Sequence, residues 1–572
     1  MTQKRMKKLL RHGMTFLGVL FLALAVACSG SRSSSFTVSI VHFNDTHSHL
    51  EPAAVNLTVN GVKTTARLGG FARIKTALDG MRAEHPDLLL LHGGDAVQGT
   101  LYFALFNGRV EYDFLNMLGV DAMTFGNHEF DRGTGPIAGW ISRSRFPWLS
   151  ANIDFSGEPT IAPLVKTYLI RGINGEKVAV IGVTTETTPQ STLDVGKAVF
   201  NDAVVGTRRQ VAVLTALGIN KIILLSHLGY LQDKALAAQV AGIDIIVGGH
   251  SHSLLGDAGQ LTTIGLTPEG PYPTELTAPD GRPVLVLQAW QWGHVLGKVH
   301  VRFTPDGDVA GYSAGITIPV GDQFVQNNTP VPPDSDAYRR ILQAMEADGA
   351  ARIIPEDPEV LDQLAPYARQ VAAYRSVAVA TATNDIVRGL NNGPGPLSAD
   401  AMLAAVPGAR VALLNYGGVR KDLYAGTISV ADILEVMPFG NTLVLVDLTG
   451  AELQKALEEG IDYLLQKFSE QAMPYLSGAS FSVRPNAANG TRVAALAVKD
   501  HNGVYQPVNS GTVYRTVVNA FVAGGGDGFA TVKNASGLRS DTGIIDSDAF
   551  RDYLKGLGSV NNPTEQRITI LP

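Results

Sequence analysis

In the first half of the chain, short apolar runs alternate with segments of helical spacing. The runs are Val38 to Phe43, Leu88 to Leu91, Val120 to Phe125, Ile222 to Leu225 and Ile243 to Val247. Runs of this length suit buried strands, and strands separated by helical segments predict an α/β domain, expected over 36–330. Val331-Pro332-Pro333-Asp334 breaks the alternation. From Ser335 to Tyr374 the chain is rich in Ala, Arg and Glu at helical spacing, interrupted at Pro355 and Pro358. That pattern predicts a helical linker over 331–374. A second α/β domain is expected over 375–572. The two halves share no internal repeat.

Each apolar run ends in polar chemistry. The first gives way to Asn44-Asp45-Thr46-His47, the second to His92-Gly93-Gly94-Asp95, and the third to Gly126-Asn127-His128-Glu129-Phe130-Asp131. The fourth ends in Ser226-His227 and the fifth in Gly248-Gly249-His250-Ser251-His252. Open α/β sheets bind ligands beyond the carboxyl ends of their strands, so five such ends can converge on one cleft. Asp45 and His47 are two residues apart and can point one way in an extended segment. Asp95 brings two oxygens and can bridge two cations. Mixed nitrogen and oxygen donors suit two divalent ions such as Zn²⁺ or Mn²⁺ better than an all-oxygen Ca²⁺ cage. Asp131 lies three residues after His128, where it can orient that imidazole.

The N-terminus reads as a targeting segment. Lys4, Arg5, Lys7, Lys8 and Arg11 precede an apolar stretch from Phe16 to Ala27, which is shorter than the roughly 20 residues of a membrane-spanning helix. It ends in Ala25-Val26-Ala27-Cys28, and Cys28 is the single cysteine of the chain. A signal peptide over 1–27, lipidation at Cys28 and a Ser/Gly tether over 28–35 are expected. They imply export and a membrane anchor at the bacterial cell envelope. The sequence does not choose between inner membrane, outer membrane and outer surface.

At 572 residues the chain is long enough for two or more cores. Its formal charge of −6 gives no whole-molecule attraction for polyanions, so no nucleic-acid polymer is expected as a partner. Any phosphate binding must come from a local feature. The sequence leaves the oligomeric state open.

The motif order resembles the calcineurin-like metallophosphoesterase superfamily and, within it, the 5′-nucleotidase and UDP-sugar hydrolase family. Gly93 to Thr100, Gly126 to Asp131 and Gly248 to His252 carry the likeness in the first half. Asn415-Tyr416-Gly417-Gly418-Val419-Arg420, Met437-Pro438-Phe439-Gly440-Asn441 and Phe521 to Phe529 carry it in the second. The resemblance implies an α/β fold, with a four-layer metallophosphoesterase domain linked to a C-terminal α/β nucleotide-binding domain.

It also implies a ligand set: Asp45, His47, Asp95 and His252 for one metal; Asp95, Asn127, His227 and His250 for the other. His128 and Asp131 match the catalytic pair. Phe439 and Phe521 would sandwich a base, Asp527 would meet the ribose and Arg420 the phosphate, with Asn415, Gly418 and Asn441 alongside. The implied activity is release of phosphate from nucleoside 5′-phosphates by a metal-activated hydroxide. A 2′,3′-cyclic-nucleotide 2′-phosphodiesterase/3′-nucleotidase, a UDP-sugar hydrolase, a thiosulfohydrolase and a surface nucleotide-binding lipoprotein are the alternatives. One stretch departs from the family: Gly393-Pro394-Gly395-Pro396-Leu397 stands where relatives open a helix with Gly-Asn-Leu, which leaves the part played by nearby Arg388 open.

Overall fold

A computed structural model describes residues 36–571 except 193, 328 and 468–471. The expected signal peptide, Cys28 and the tether lie outside the described residues. Among those described, no helix is long and apolar enough to cross a membrane.

The strand Phe36–Phe43 organises the N-terminal domain. It runs parallel to Leu89–His92 on one side and antiparallel to Leu296–Phe303 on the other. Leu89–His92 continues in parallel to Ala122–Thr124, and that strand to Trp148–Leu149. A second sheet pairs Glu176–Thr184, Ile222–His227, Ile245–Val247 and Pro283–Leu287 in parallel.

The two sheets face each other. Val38 and Ile40 point inward with Leu89, Leu91, Val180, Ile223, Leu225, Ile245 and Val247. Val41 and Phe43, on the opposite face of the same strand, bury against the helices Phe71–Glu84 and Arg109–Leu118. Ala179, Ile181 and Val183 turn outward to the helix Ala203–Ala216. The result is helix, sheet, sheet, helix: the four layers expected. Both faces of these strands are buried, which is why the sequence shows continuous apolar runs and not strict alternation.

The segment 331–374 holds the helices Asp336–Asp348 and Pro358–Arg375, the second capped by Asp357, whose side chain accepts from Val360 N–H. Between them Ala351–Ile353 joins the first sheet, parallel to Ile318–Val320. Val360, Leu364 and Val371 bury into the core beneath Phe71 and Ile74.

The C-terminal domain is built on five strands in the order Tyr475–Ser477, Val411–Leu414, Val513–Asn519, Thr442–Thr449, Arg539–Ile545. The helix Gly450–Lys467 covers one face, and Pro394–Ala405 and Asp546–Leu557 cover the other. Gly393 is the N-cap of Pro394–Ala405, so the departing Gly-Pro-Gly-Pro stretch still opens a helix.

Candidate functional site

Every candidate metal ligand leaves the carboxyl end of a parallel strand or the loop just beyond it. The first two loops are stitched by their backbones: Asp45 N–H donates to Gly94 O, and His47 N–H to Asp95 O, each at 3.0 Å. Asp45, His47, Asp95, His250 and His252 all adopt positive φ, between 46° and 75°. A non-glycine residue held there costs on the order of 1–3 kcal/mol, and such residues gather at functional sites. Surrounding hydrogen bonds hold this strain in place. Asn44 Nδ2 donates to Asp45 Oδ2 at 2.6 Å and to Trp290 O at 2.7 Å, while His250 N–H donates to the same Asp45 carboxylate.

The donor atoms fall into two adjoining groups. Asp45, His47 and His252 form one and Asp95, His227 and His250 the other, while a third set of close donors, His47, Asp95 and His128, spans the two. In the first, His252 Nε2 lies 3.4 Å from Asp45 Oδ1 and 3.0 Å from His47 Nε2. In the second, His227 Nε2 lies 3.0 Å from Asp95 Oδ2. Asn127 Oδ1 completes that group, 2.9 Å from His250 Nδ1 and 3.3 Å from His227 Nε2.

Asp95 stands between the groups, since the same Oδ2 is 3.8 Å from His47 Nε2. His227 gives its Nδ1–H to Gly93 O at 2.7 Å, which turns Nε2 inward, the arrangement metal-binding imidazoles use. Burial disfavours the imidazolium, but Asp95 and Asp45 raise the His227 pKa to about 9, so a cation bound there takes the place of the Nε2 proton. Burial opposes ionisation of Asp95, but His227 and His128 beside it hold its carboxyl well below the usual range. Anionic oxygens and inward imidazole nitrogens at this spacing fit two divalent cations sharing Asp95. The loops can approach this closely because Gly126 lies against the Asp95 side chain, where a Cβ would collide with the carboxylate.

His128 adjoins both groups but is engaged elsewhere. Its Nδ1 is 2.7 Å from Asp131 Oδ2, leaving the other ring nitrogen as the one available to a bound substrate. Burial disfavours the imidazolium, but the carboxylates of Asp131 and Asp95 outweigh it and raise the His128 pKa well above the ordinary value. A protonated imidazole with a fixed orientation can donate to a leaving oxygen.

Two groups escaped the sequence reading. Glu129 is fully buried and accepts the backbone N–H groups of Asp95, Ala96 and Gly126. Its position inside a metal-ligand motif, followed by Phe130 and directly after the catalytic candidate, was the available signal. Asp541, from the C-terminal domain, had none: it lies in a distant segment with no metal-ligand spacing.

In the C-terminal domain Asn415 Nδ2 donates to Asp527 Oδ2 at 2.7 Å, and Asn519 Nδ2 donates to Asn415 Oδ1 at 3.0 Å. Gly418 N–H closes the turn on Asn415 O. Phe521 is 47% exposed, its ring resting on Gly526, and Phe439 is 50% exposed with the Arg420 guanidinium 5.8 Å above it. Exposed aromatic faces this close to polar clusters suit stacking on a ligand better than core packing. Arg388 pairs with Asp422 at 3.2 Å and donates to Val419 O beside Arg420.

A cavity of about 350 Å³ brings the halves together: it is lined by His47, Asp95, Asn127, His128, His250 and His252 on one side, and by Phe439, Asn441 and Asp541 on the other. Asn415, Gly418, Arg420, Phe521 and Asp527 do not line it.

Fold and ligand geometry together define a calcineurin-like phosphoesterase. The family model described as calcineurin-like phosphoesterase matches residues 38–254, and that of the 5′-nucleotidase C-terminal domain matches residues 377–534. The chain is 32% identical to a probable 5′-nucleotidase of Treponema pallidum, over 96% of this chain and 97% of the relative. The structure of Haemophilus influenzae NAD nucleotidase superposes with a TM-score of 0.79 at 28% identity, covering 94% of this chain and all of the other. A Thermus thermophilus 5′-nucleotidase precursor superposes with a TM-score of 0.60 at 37% identity, over 94% of this chain and 99% of that one. The chain belongs to the 5′-nucleotidase family of metal-dependent phosphoric ester hydrolases.

Proposed function

We propose that the protein is an exported 5′-nucleotidase, lipid-anchored at Cys28, that releases phosphate from nucleoside 5′-phosphates. The observation that carries this reading is the convergence of two ligand groups on Asp95 in a cavity that also receives Phe439. Asp45, His47, Asp95 and His252 would hold one cation; Asp95, Asn127, His227 and His250 the other. Zn²⁺ and Mn²⁺ suit that donor set. When bound, the pair supplies Lewis acidity toward phosphoryl oxygens and makes water a competent nucleophile at neutral pH.

The chain's own residues do the rest. His128, held by Asp131, donates a proton or hydrogen bond where negative charge develops on the departing ribose oxygen. Phe439 and Phe521 stack on the base, Asp527 and Asn415 face the ribose, and Arg420 faces phosphate, with Gly418 and Asn441 shaping the pocket. Residues 36–330 would form the phosphoesterase domain, 331–374 the linker and 375–572 the nucleotide-binding domain. Because only Phe439 and Asn441 of the nucleotide set line the metal cavity, turnover calls for the C-terminal domain to swing its pocket inward.

The test is a substrate panel on metal-loaded and chelated protein: AMP, ATP, NAD, UDP-glucose, 3′-AMP and cyclic 2′,3′-AMP. Fast, metal-dependent release of phosphate from AMP is expected. Preferential turnover of 3′-AMP and the cyclic nucleotide, or of UDP-glucose, would replace this reading with the corresponding relative's chemistry.

A further inference from the structure

Arg539–Ile545 is the edge strand of the C-terminal sheet, yet it faces the N-terminal domain. Gln98 Nε2–H donates to the Gly543 carbonyl at 2.8 Å. Gly543 lies so near Asp131 that a Cβ there would stand 2.7 Å from Asp131 Oδ2, and its φ of +67° also favours glycine. This contact carries Asp541 into the cavity of the metal ligands, where, among the described residues, it is the one charged side chain contributed by the C-terminal domain. Its carboxylate is fixed: Thr442 Oγ1 donates to Oδ2 at 2.6 Å and Gly543 N–H to Oδ1 at 3.0 Å. Most of the nucleotide-binding cluster, by contrast, lies away from this cavity.

We propose that Asp541 is a built-in competitor of substrate phosphate, held toward the metal-ligand cluster by a latch formed from Gln98, Gly543 and Asp131. The inference rests on the reading of that cluster as a two-cation phosphate site. A cationic centre attracts any anion, and a tethered carboxylate competes at high effective concentration. Phosphate brings more charge and more oxygens and wins the competition once the latch releases. The edge strand then leaves the cavity, and the face bearing Phe521 and Asp527 can take its place. The arrangement keeps the centre from binding stray anions tightly while no nucleotide is present.

Two variants test this by independent routes. Asp541→Asn keeps shape and one acceptor but removes the charge. Gly543→Val wedges the latch apart at Asp131. Inorganic phosphate is titrated by calorimetry into the full, metal-loaded chain, with metal content and melting temperature as controls. Both variants should bind phosphate about three- to tenfold more tightly, the order expected when one unit charge is removed several ångströms away at a dielectric near that of water. Gly543→Val without phosphate should also give the small-angle scattering profile that the wild type gives only with phosphate. If Gly543→Val loses metal or melts early, Asp541→Asn decides alone. Unchanged or weaker binding in Asp541→Asn at full metal content overturns the proposal. Failure of the metal-loaded wild type to bind phosphate overturns the phosphate-site reading itself, and this inference with it.

Discussion

The backbone N–H of Asp95 donates to Glu129 Oε2 at 3.0 Å, and through this bond one carboxylate sets the position of the residue shared by both ligand groups. The same Glu129 side chain gathers Ala96 N–H at 2.8 Å and Gly126 N–H at 2.6 Å. It therefore clamps the Asp95 loop to the Asn127–His128 loop. Glu129→Gln would turn an N–H₂ group toward backbone N–H donors. A loss of roughly 1–3 kcal/mol of stability is expected from unsatisfied buried groups, with metal affinity falling about 10- to 100-fold, as for other residues that orient ligands. Chemical denaturation and metal titration measure the two effects. Wild-type affinity in the variant would show that the loops hold their places without the clamp.

Asp95 is the test of the bridge itself. Asp95→Ala removes the carboxylate oxygen that lies 3.8 Å from His47 Nε2 and 3.0 Å from His227 Nε2, nearer to both than Asp45 Oδ1 at 3.9 and 4.0 Å. Elemental analysis after dialysis should find both cations depleted. One ion retained at full occupancy would mean that the two groups bind independently.

Chemistry and recognition should separate by mutation. His128→Ala should lower kcat by roughly 10²- to 10⁴-fold, the usual scale for a positioned acid or base, with metal content nearly intact. Phe439→Ala and Phe521→Ala should raise KM for AMP by about 1–3 kcal/mol per stacking face and leave hydrolysis of a small aryl phosphate nearly unchanged. Equal losses on both substrates in the Phe variants would remove them from the base pocket.

His294 gives a pH signature. It is 1% exposed, neither ring nitrogen has a hydrogen-bond partner, and burial pushes its pKa down from 6.5 to about 3. Below about pH 6.5 the unfolded chain takes up a proton that the folded chain refuses until about pH 3. His294 therefore makes stability fall as pH drops through that window, by up to about 1.4 kcal/mol per pH unit. In His294→Phe that slope should vanish, so the variant gains on the wild type from pH 7 to pH 5 in denaturation experiments. Parallel curves would place a proton on His294 in the native state.

Cys28→Ser addresses anchoring. Loss of the thiol should abolish lipid attachment and shift the protein from the membrane fraction to the soluble one. A variant that still carries lipid would remove Cys28 from that role.

The strand ends were legible because metal ligands in an α/β sheet must follow buried strands, and Val38–Phe43 or Ile243–Val247 announce themselves by unbroken apolarity. The four-layer order followed from the family resemblance, and the inward side of Val38 and Ile40 agrees with it. Contacts spanning long separations were not legible. Gln98 meets Gly543 across 445 residues, and nothing local in Asp541-Thr542-Gly543 marks it as a neighbour of His128. Ala351–Ile353 joins the first sheet through tertiary pairing, which a three-residue window in a helical stretch does not reveal. Glu129 was in view but its function is carried by three backbone N–H groups, which a sequence does not display.

Phe36 and Asp45 lie just at or beyond opposite ends of one strand of eight residues, a separation of roughly 25 Å. Phe36 thus stands at the end of this strand opposite the ligand loops. An anchor placed there would hold the protein with its mouth turned away from the lipid, toward the surrounding medium. Such an enzyme would meet nucleotides arriving by diffusion from outside and would release its products at a distance from the bilayer.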